Sequence, residues 1–322
     1  MTRVWIVGRS GMLGSAIARR VALHDGWIDT AAPPLPWRSG PDAVRSAALE
    51  AASALCGEGG RGPWAIIWVG GAAVTSSGEA QADAEFALLS AALDGIAEAT
   101  ARDAAHGAFF LASSAGGVYA GSADPPFTES TTPVPVSPYG RLKLRSEELV
   151  RSVMGELGVP VLVGRIANLY GPGQRLDKMQ GLVSHLALAR LTASPASVFV
   201  PLDTLRDYLY VDDAAELVLA GLHRLRSADG HVTKIFASGK GTSIAELLGQ
   251  MKAISKARPR VVLGTSPSAR HQALDLRFRS TVWPDLDRRN PTSLPEGIDR
   301  TLRDIAARLR EPDQRTAGSS AR

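Results

Sequence analysis

Three glycines spaced three apart, Gly8, Gly11 and Gly14, stand directly behind the apolar run Val4–Val7 in "VWIVGRSGMLGSAIARR". The run has the length of a short buried strand. Met12–Leu23 carries Leu13, Ile17 and Val21 at the spacing of a helix with one buried face. A strand that turns through glycine into a helix offers free backbone N–H groups and the positive helix end to an anion. Gly8 permits the tight turn, Gly11 lets a pyrophosphate approach the backbone, and Gly14 allows the helix to pack closely on the strand. Arg9, Ser10, Met12 and Leu13 belong to the same cradle. A tight turn with no ligand is the plain alternative, so the rest of the chain has to decide.

Further apolar runs of strand length occur at Trp64–Val69, Ala108–Ala112, Pro160–Ile166 and Ile235–Ala237. Helical spacing marks Pro41–Cys56, Ala80–Ala105 (Phe86, Leu89, Leu93, Ile96) and Gly140–Met154. Strands alternating with helices predict an α/β fold, a doubly wound parallel sheet covered on both faces. A second strand is expected between Trp27 and Trp37. Pro33, Pro34 and Pro36 require it to be short or at an edge, because proline donates nothing to a ladder. No room remains for a third strand before Trp64.

Composition narrows the function classes. The 36 basic and 32 acidic residues give a net charge of only +4, with no sustained basic block, so no nucleic-acid partner is expected. One cysteine, Cys56, and six scattered histidines provide no metal-ligand spacing. The Val4–Val7 run is too short for a secretory signal, and no stretch reaches the ~18 apolar residues of a membrane span. The expectation is a cytoplasmic, metal-independent protein.

Downstream, "YGRLK" puts Tyr139 and Lys143 four apart, on one face of a predicted helix. An ammonium beside a phenol favours the phenolate, which suits proton transfer. The company of this pair is informative: "FFLASSAGGVYAG" (109–121) before it, then "VGRIANLYGPGQ" (163–174) and "RDYLYVDD" (206–213). With the glycine turn, in this order, they resemble the extended short-chain dehydrogenase/reductase family, the nucleotide-sugar epimerases, dehydratases and reductases. The resemblance covers the chain to about residue 310.

That resemblance implies an NAD(P)-binding Rossmann domain at residues 1–169, with 206–238 returning to it. Residues 170–205 and 239–311 form a smaller substrate-binding part, and 312–322 a disordered tail. It implies that Tyr139 moves the proton of a sugar hydroxyl or carbonyl, while Lys143 holds the nicotinamide ribose. A strand-end hydroxyl should bond the reacting oxygen. The family's usual position is Ala115 here, so Ser114 stands in, with Ser113 second and backbone capping as the plain alternative. Asn168 and Gln174 would enclose the sugar nucleotide, Phe199 would stack on its base, and Arg206 would grip its phosphates. The plain alternatives are a core-facing Phe199 and a surface ion pair of Arg206 with Asp207 or Asp212. Relatives also pair this helix and the preceding long one in a homodimer. Leu142, Leu149 and Val153 would supply the apolar face.

NAD-specific members carry an acidic residue at the end of the second strand. The nearest equivalent, "PWRS", offers Arg38 and no carboxylate, and Arg9 lies in the glycine turn. Two guanidiniums suit a 2′-phosphate, so NADP(H) is favoured with NAD(H) possible. The glycine turn also looks like that of the GDP-fucose synthases. Gly117, Val118 and Gly173 stand where those enzymes need a cysteine and a histidine, which argues against 3,5-epimerisation. The acidic pair of the 4,6-dehydratases is missing as well. What remains is chemistry at carbon 4 of a nucleoside-diphosphate hexose: reduction of a 4-keto sugar first, 4-epimerisation second. A non-catalytic NADP-sensing binding protein is the reading from another class.

Overall fold

The computed structural model describes residues 1–57, 62–176, 181–228, 230–255, 260–264, 273–288 and 291–310. The tail expected at 312–322 lies outside them. In the first half, β1 (Thr2–Val7), α1 (Met12–Val21), β2 (Trp27–Asp29), α2 (Pro41–Cys56), β3 (Trp64–Trp68) and α3 (Glu79–Thr100) follow one another. Then come β4 (Phe109–Ser114), the single-turn α4 (Ala115–Val118), α5 (Pro138–Glu156), β5 (Val161–Ile166) and β6 (Asn168–Tyr170). The remainder is α6 (Leu182–Leu191), β7 (Ala196–Val198), β8 (Leu205–Tyr210), α7 (Val211–Leu225), β9 (Val232–Phe236), β10 (Gly241–Ser243) and α8 (Ile244–Ser255). It closes with β11 (Val261–Leu263), β12 (Asp275–Leu276), α9 (Pro284–Asp287) and α10 (Leu294–Arg310).

Six strands form a parallel sheet in the order β2-β1-β3-β4-β5-β9. Alternation along each strand feeds two core layers. Val4 and Ile6 of β1, Ala65 and Ile67 of β3 and Phe110 of β4 face α1 and α7. Trp5, Val7, Trp64, Ile66, Trp68 and Phe109 face α2, α3 and α5. Both faces are covered, which is why these strands read as unbroken apolar runs. β2 is short and at the edge. The prolines follow it rather than interrupt it, and among the described residues no further strand joins the sheet beyond it.

Two expectations change. β8 lies within the stretch expected to return to the main sheet, yet it centres a second sheet with β6, β10 and β12; the return begins at α7. A third apolar cluster, built by Tyr170, Leu186, Tyr208, Leu247 and Ile298, sits under this second sheet. The apolar face of α5 is also already used. Leu142 is buried, and Leu149 and Val153 pack against the core layer below. Outward, α5 shows arginines paired to α3, Arg141 with Glu79 and Arg145 with Asp83.

Because the six strands are parallel, the ends of β1, β3, β4 and β5 open on one edge. That edge collects Gly8, Gly70–Ala73, Ser113–Ser114 and Asn168. The chain's winding reverses between β1 and β3, where an open α/β sheet leaves a crevice for a ligand.

Candidate active site

Gly8 occupies φ +90°, and a Cβ there would lie 2.6 Å from the Gly70 nitrogen. A Cβ on Gly14 would lie 2.2 Å from the Gly8 carbonyl oxygen. Neither position tolerates a side chain, so the turn after β1 can sit against both the β3 turn and the first turn of α1. Gly11 caps α1 and donates its N–H to the Gly8 carbonyl at 2.9 Å. Arg9 and Ser10 are exposed on the rim, Met12 begins the helix, and Leu13 is buried beneath it.

Asp29 corrects the sequence reading of the adjacent edge. β2 ends at Asp29, so a carboxylate does stand at the end of the second strand. Its Oδ1 accepts the Ala31 N–H at 2.8 Å, and its Oδ2 pairs with Arg9. Arg9 is therefore engaged by a carboxylate, while Arg38 lies exposed in the coil before α2. The signal was present in "WID". Pro33, Pro34 and Pro36 lie beyond the strand. Trp37, next to Arg38, packs edge-on to Trp68 and lies over Gly70.

Tyr139 and Lys143 sit in the first two turns of α5, whose N-terminus is capped by Ser137. Both are partly buried, and the Lys143 Nζ lies 5.4 Å from the Tyr139 ring centre. Across from them, a Cβ on Gly117 would be 3.1 Å from the Tyr139 ring and 3.3 Å from the Ser114 Oγ. Gly117 is thus the spacer that lets phenol and hydroxyl share one wall. Ser114 Oγ accepts the Gly117 N–H at 3.1 Å, which caps α4 and leaves its own proton to donate. Ser113 is used elsewhere: its hydroxyl donates to Glu147 Oε1 at 2.6 Å, inside a buried network with Arg165. Lys143 also approaches Glu85 of α3, a residue no motif pointed to.

Arg206 is buried, 8% exposed, and its guanidinium donates to the Leu205 carbonyl at 2.8 Å. Neither carboxylate considered from the sequence pairs with it. Asp207 accepts the Ser238 and Gly239 N–H groups at 2.8 Å each, and Asp212 pairs with Arg19 at 2.9 Å. Asp275, whose charge acts on Arg206, is held by Arg277. Burial pushes Arg206 below the ordinary arginine range, Tyr208 and Asp275 only opposing it in part. Among the described residues no carboxylate pairs with Arg206, and a desolvated guanidinium in that state is poised for an external anion.

The other expected contacts separate. Asn168 is partly exposed at the end-on edge of β5. Gln174 lies in the loop that closes on α1, since a Cβ on Gly173 would be 3.5 Å from Ser15 Oγ. That loop is pinned from α10: Asp304 accepts the Gly173 N–H, and Arg308 donates to the Gln174 carbonyl. Gln174 therefore stands beside the glycine turn. Phe199 is 39% exposed just past β7, which removes the core-facing alternative, and the backbone at Gly264 lies against its ring. Among the described residues no cluster could hold a metal, and no helix is long and apolar enough to cross a membrane.

Residues 4–235 match the NAD dependent epimerase/dehydratase family. The dTDP-4-dehydro-6-deoxyglucose reductase of Escherichia coli is 30% identical over 61% of this chain and 60% of its own length. The next two curated relatives are matched over only 24% and 45% of theirs. Among solved structures, the UDP-glucose 4-epimerase of Thermotoga maritima with UDP-glucose superposes with a TM-score of 0.78 at 19% identity, over 95% of this chain and 99% of that one. RMD from Pseudomonas aeruginosa complexed with NADPH does so with 0.75 at 23% identity, over 96% and 100%. At these identities the structures establish the fold.

Proposed function

The chain belongs to the NAD dependent epimerase/dehydratase family, and we propose that it is a nicotinamide-dependent oxidoreductase acting at carbon 4 of the hexose of a nucleoside diphosphate sugar, working as a 4-keto reductase. The observation that carries this reading is the wall on which Tyr139, Lys143 and Ser114 meet around Gly117, at the sheet edge that also holds the glycine turn. The cradle fits a dinucleotide: Gly8 and Gly14 leave a backbone surface that any Cβ would obstruct.

When bound, the nicotinamide supplies or accepts the hydride. Tyr139 donates its phenolic proton to the carbonyl oxygen as that oxygen gains charge. Ser114 donates a hydrogen bond to the same oxygen while Gly117 N–H holds its Oγ. Lys143 offers its ammonium to the ribose hydroxyls and stabilises the phenolate left behind. Arg206 meets the diphosphate, Asn168 faces the sugar and Phe199 the base, while Gln174 borders the nucleotide from its loop beside the glycine turn. The named reductase from E. coli supports this direction of reaction.

NADP(H) is the proposed cofactor. It rests on Arg38 and on Arg9, whose pairing neutralises Asp29. The same Asp29 carboxylate, placed where ribose hydroxyls would be held, favours a second reading, an NAD-retaining 4-epimerase. A cytoplasmic location and a homodimer complete the proposal; with Leu142, Leu149 and Val153 already packed inside the protomer, the dimer would have to form through the charged outer faces of α3 and α5. Tyr139→Phe tests the carrying observation. Turnover should fall by orders of magnitude with folding and dinucleotide binding intact. Near-normal turnover refutes the assignment.

A further inference from the structure

Glu85 lies in the second turn of the alanine-rich α3 and belongs to no motif, yet two parts of the proposed site converge on it. Its Oε2 accepts the N–H groups of Ala72 and Ala73, both at 2.6 Å. Its Oε1 lies 3.5 Å from the Lys143 Nζ. The two side chains are only 17% and 13% exposed, so solvent screens the pair weakly. The turn it clamps begins at Gly70, the residue against which Gly8 packs. One carboxylate therefore ties the turn that supports the glycine cradle to the lysine beside the phenol.

We propose that Glu85 is a positioning residue: anchored by two backbone donors, it fixes the Lys143 ammonium at a set distance from the glycine turn. This rests on the dinucleotide reading above. Lysine has four rotatable bonds and a point charge with no preferred direction, so an unanchored ammonium would sample several positions at an entropic cost on binding. Two backbone N–H groups on the other oxygen hold the carboxylate in one orientation, so Oε1 serves as a fixed reference. The charged neighbours on the outer face do not compete for it. Arg141 pairs with Glu79, and Arg145 pairs with Asp83.

Glu85→Gln separates the two bonds. The amide oxygen can still accept both N–H groups, whereas the amide nitrogen then opposes the ammonium donor to donor. The test is a double-mutant cycle read by NADPH affinity, with wild type, Glu85→Gln, Lys143→Met and the double variant, plus the thermal midpoint of each protein alone. Glu85→Gln should weaken NADPH binding about tenfold in the wild type and less than about twofold in the Lys143→Met background, a coupling expected of residues in contact. Its midpoint should stay within about 2 °C of wild type. Equal losses in both backgrounds, or none in the wild type, overturn the proposal. Gly71→Ala provides a second route should Glu85→Gln not fold. A Cβ there would lie 2.7 Å from Glu85 Oε1 and displace the carboxylate without removing it, and the same non-additive pattern is expected. A wild type that binds neither NADPH nor NADH removes the functional reading and this proposal together, whereas binding with additive losses removes only the role of Glu85.

Discussion

Replacing Arg206 by methionine should make the unliganded protein no less stable, and more stable if anything, while crippling its grip on a nucleoside diphosphate. The usual expectation for a buried side chain is the opposite. Arg206 is 8% exposed, and its guanidinium has one neutral acceptor, the Leu205 carbonyl. Its candidate partners are committed to Ser238 and Gly239, to Arg19 and to Arg277. Among the described residues no ion pair offsets the desolvation of this cation, so removing the charge should return about 1 kcal/mol or more. Methionine keeps the aliphatic stem that packs in the second sheet. In a chain of this size such a gain raises the thermal midpoint by about 2 °C. Loss of a charge-assisted contact to a diphosphate costs about 1.5–3 kcal/mol, ten- to a hundredfold in affinity. Calorimetric titration with UDP, dTDP and GDP, a parallel NADPH titration and a thermal melt give all the quantities needed. NADPH affinity should be unchanged. A midpoint lowered by several degrees with unaltered diphosphate affinity would show that Arg206 is a structural cation and not a diphosphate anchor.

The remaining expectations concern the cofactor, pH and assembly. Arg38→Ala should weaken NADPH more than NADH, by about ten- to a hundredfold in their ratio, and Arg9→Ala should act in the same direction; an unmoved ratio in both variants contradicts the NADP assignment. Asp29→Asn frees Arg9 from its carboxylate, so NADPH affinity should rise relative to NADH, and a fall in that ratio would mark Asp29 as an NAD-type ribose anchor. Burial pushes the Asp207 carboxyl up to about 6, the Ser238 and Gly239 N–H groups offsetting it only in part. A raised acid binds its proton more tightly folded than unfolded, so its contribution is full below about pH 4 and is lost as pH rises to about 6, by roughly 3 kcal/mol. Asp207→Asn lacks that slope; denaturant melts across this range should show the gap between variant and wild type shifting toward the variant, and parallel profiles would contradict the shift. Light scattering at micromolar concentration should report a dimer, and a mass near the 33.9 kDa of one chain would exclude it.

Local chemistry made part of this legible from sequence. The glycine turn and the Tyr139–Lys143 spacing are short-range patterns whose geometry follows from one turn or one helix. The parallel sheet follows from apolar runs alternating with helices. What stayed hidden depends on long-range pairing. The end of β2 is fixed by its ladder to β1, residue Val4 against Asp29, and three residues carry too little periodicity to mark it. "RDYLYV" reads equally well as a strand of either sheet, and only its partners Asn168–Tyr170 and Gly241–Ser243 decide. Leu142, Leu149 and Val153 read as a free apolar face because the sequence does not say which side of α5 the sheet covers. Glu85 gave no signal at all: one carboxylate among alanines acquires meaning only when Ala72, Ala73 and Lys143 are brought to it.

The central claim is that this sheet edge carries out redox chemistry on a nucleotide sugar. The most direct measurement follows NADPH absorbance while the purified protein is mixed with 4-keto-6-deoxyhexoses linked to dTDP, UDP or GDP, with Tyr139→Phe as the control. Stoichiometric NADPH oxidation is expected with at least one of them, with a product reduced at carbon 4 and no oxidation by the Tyr139→Phe protein. Bound dinucleotide with no turnover of any keto sugar and no 4-epimerisation of the parent hexoses would contradict it.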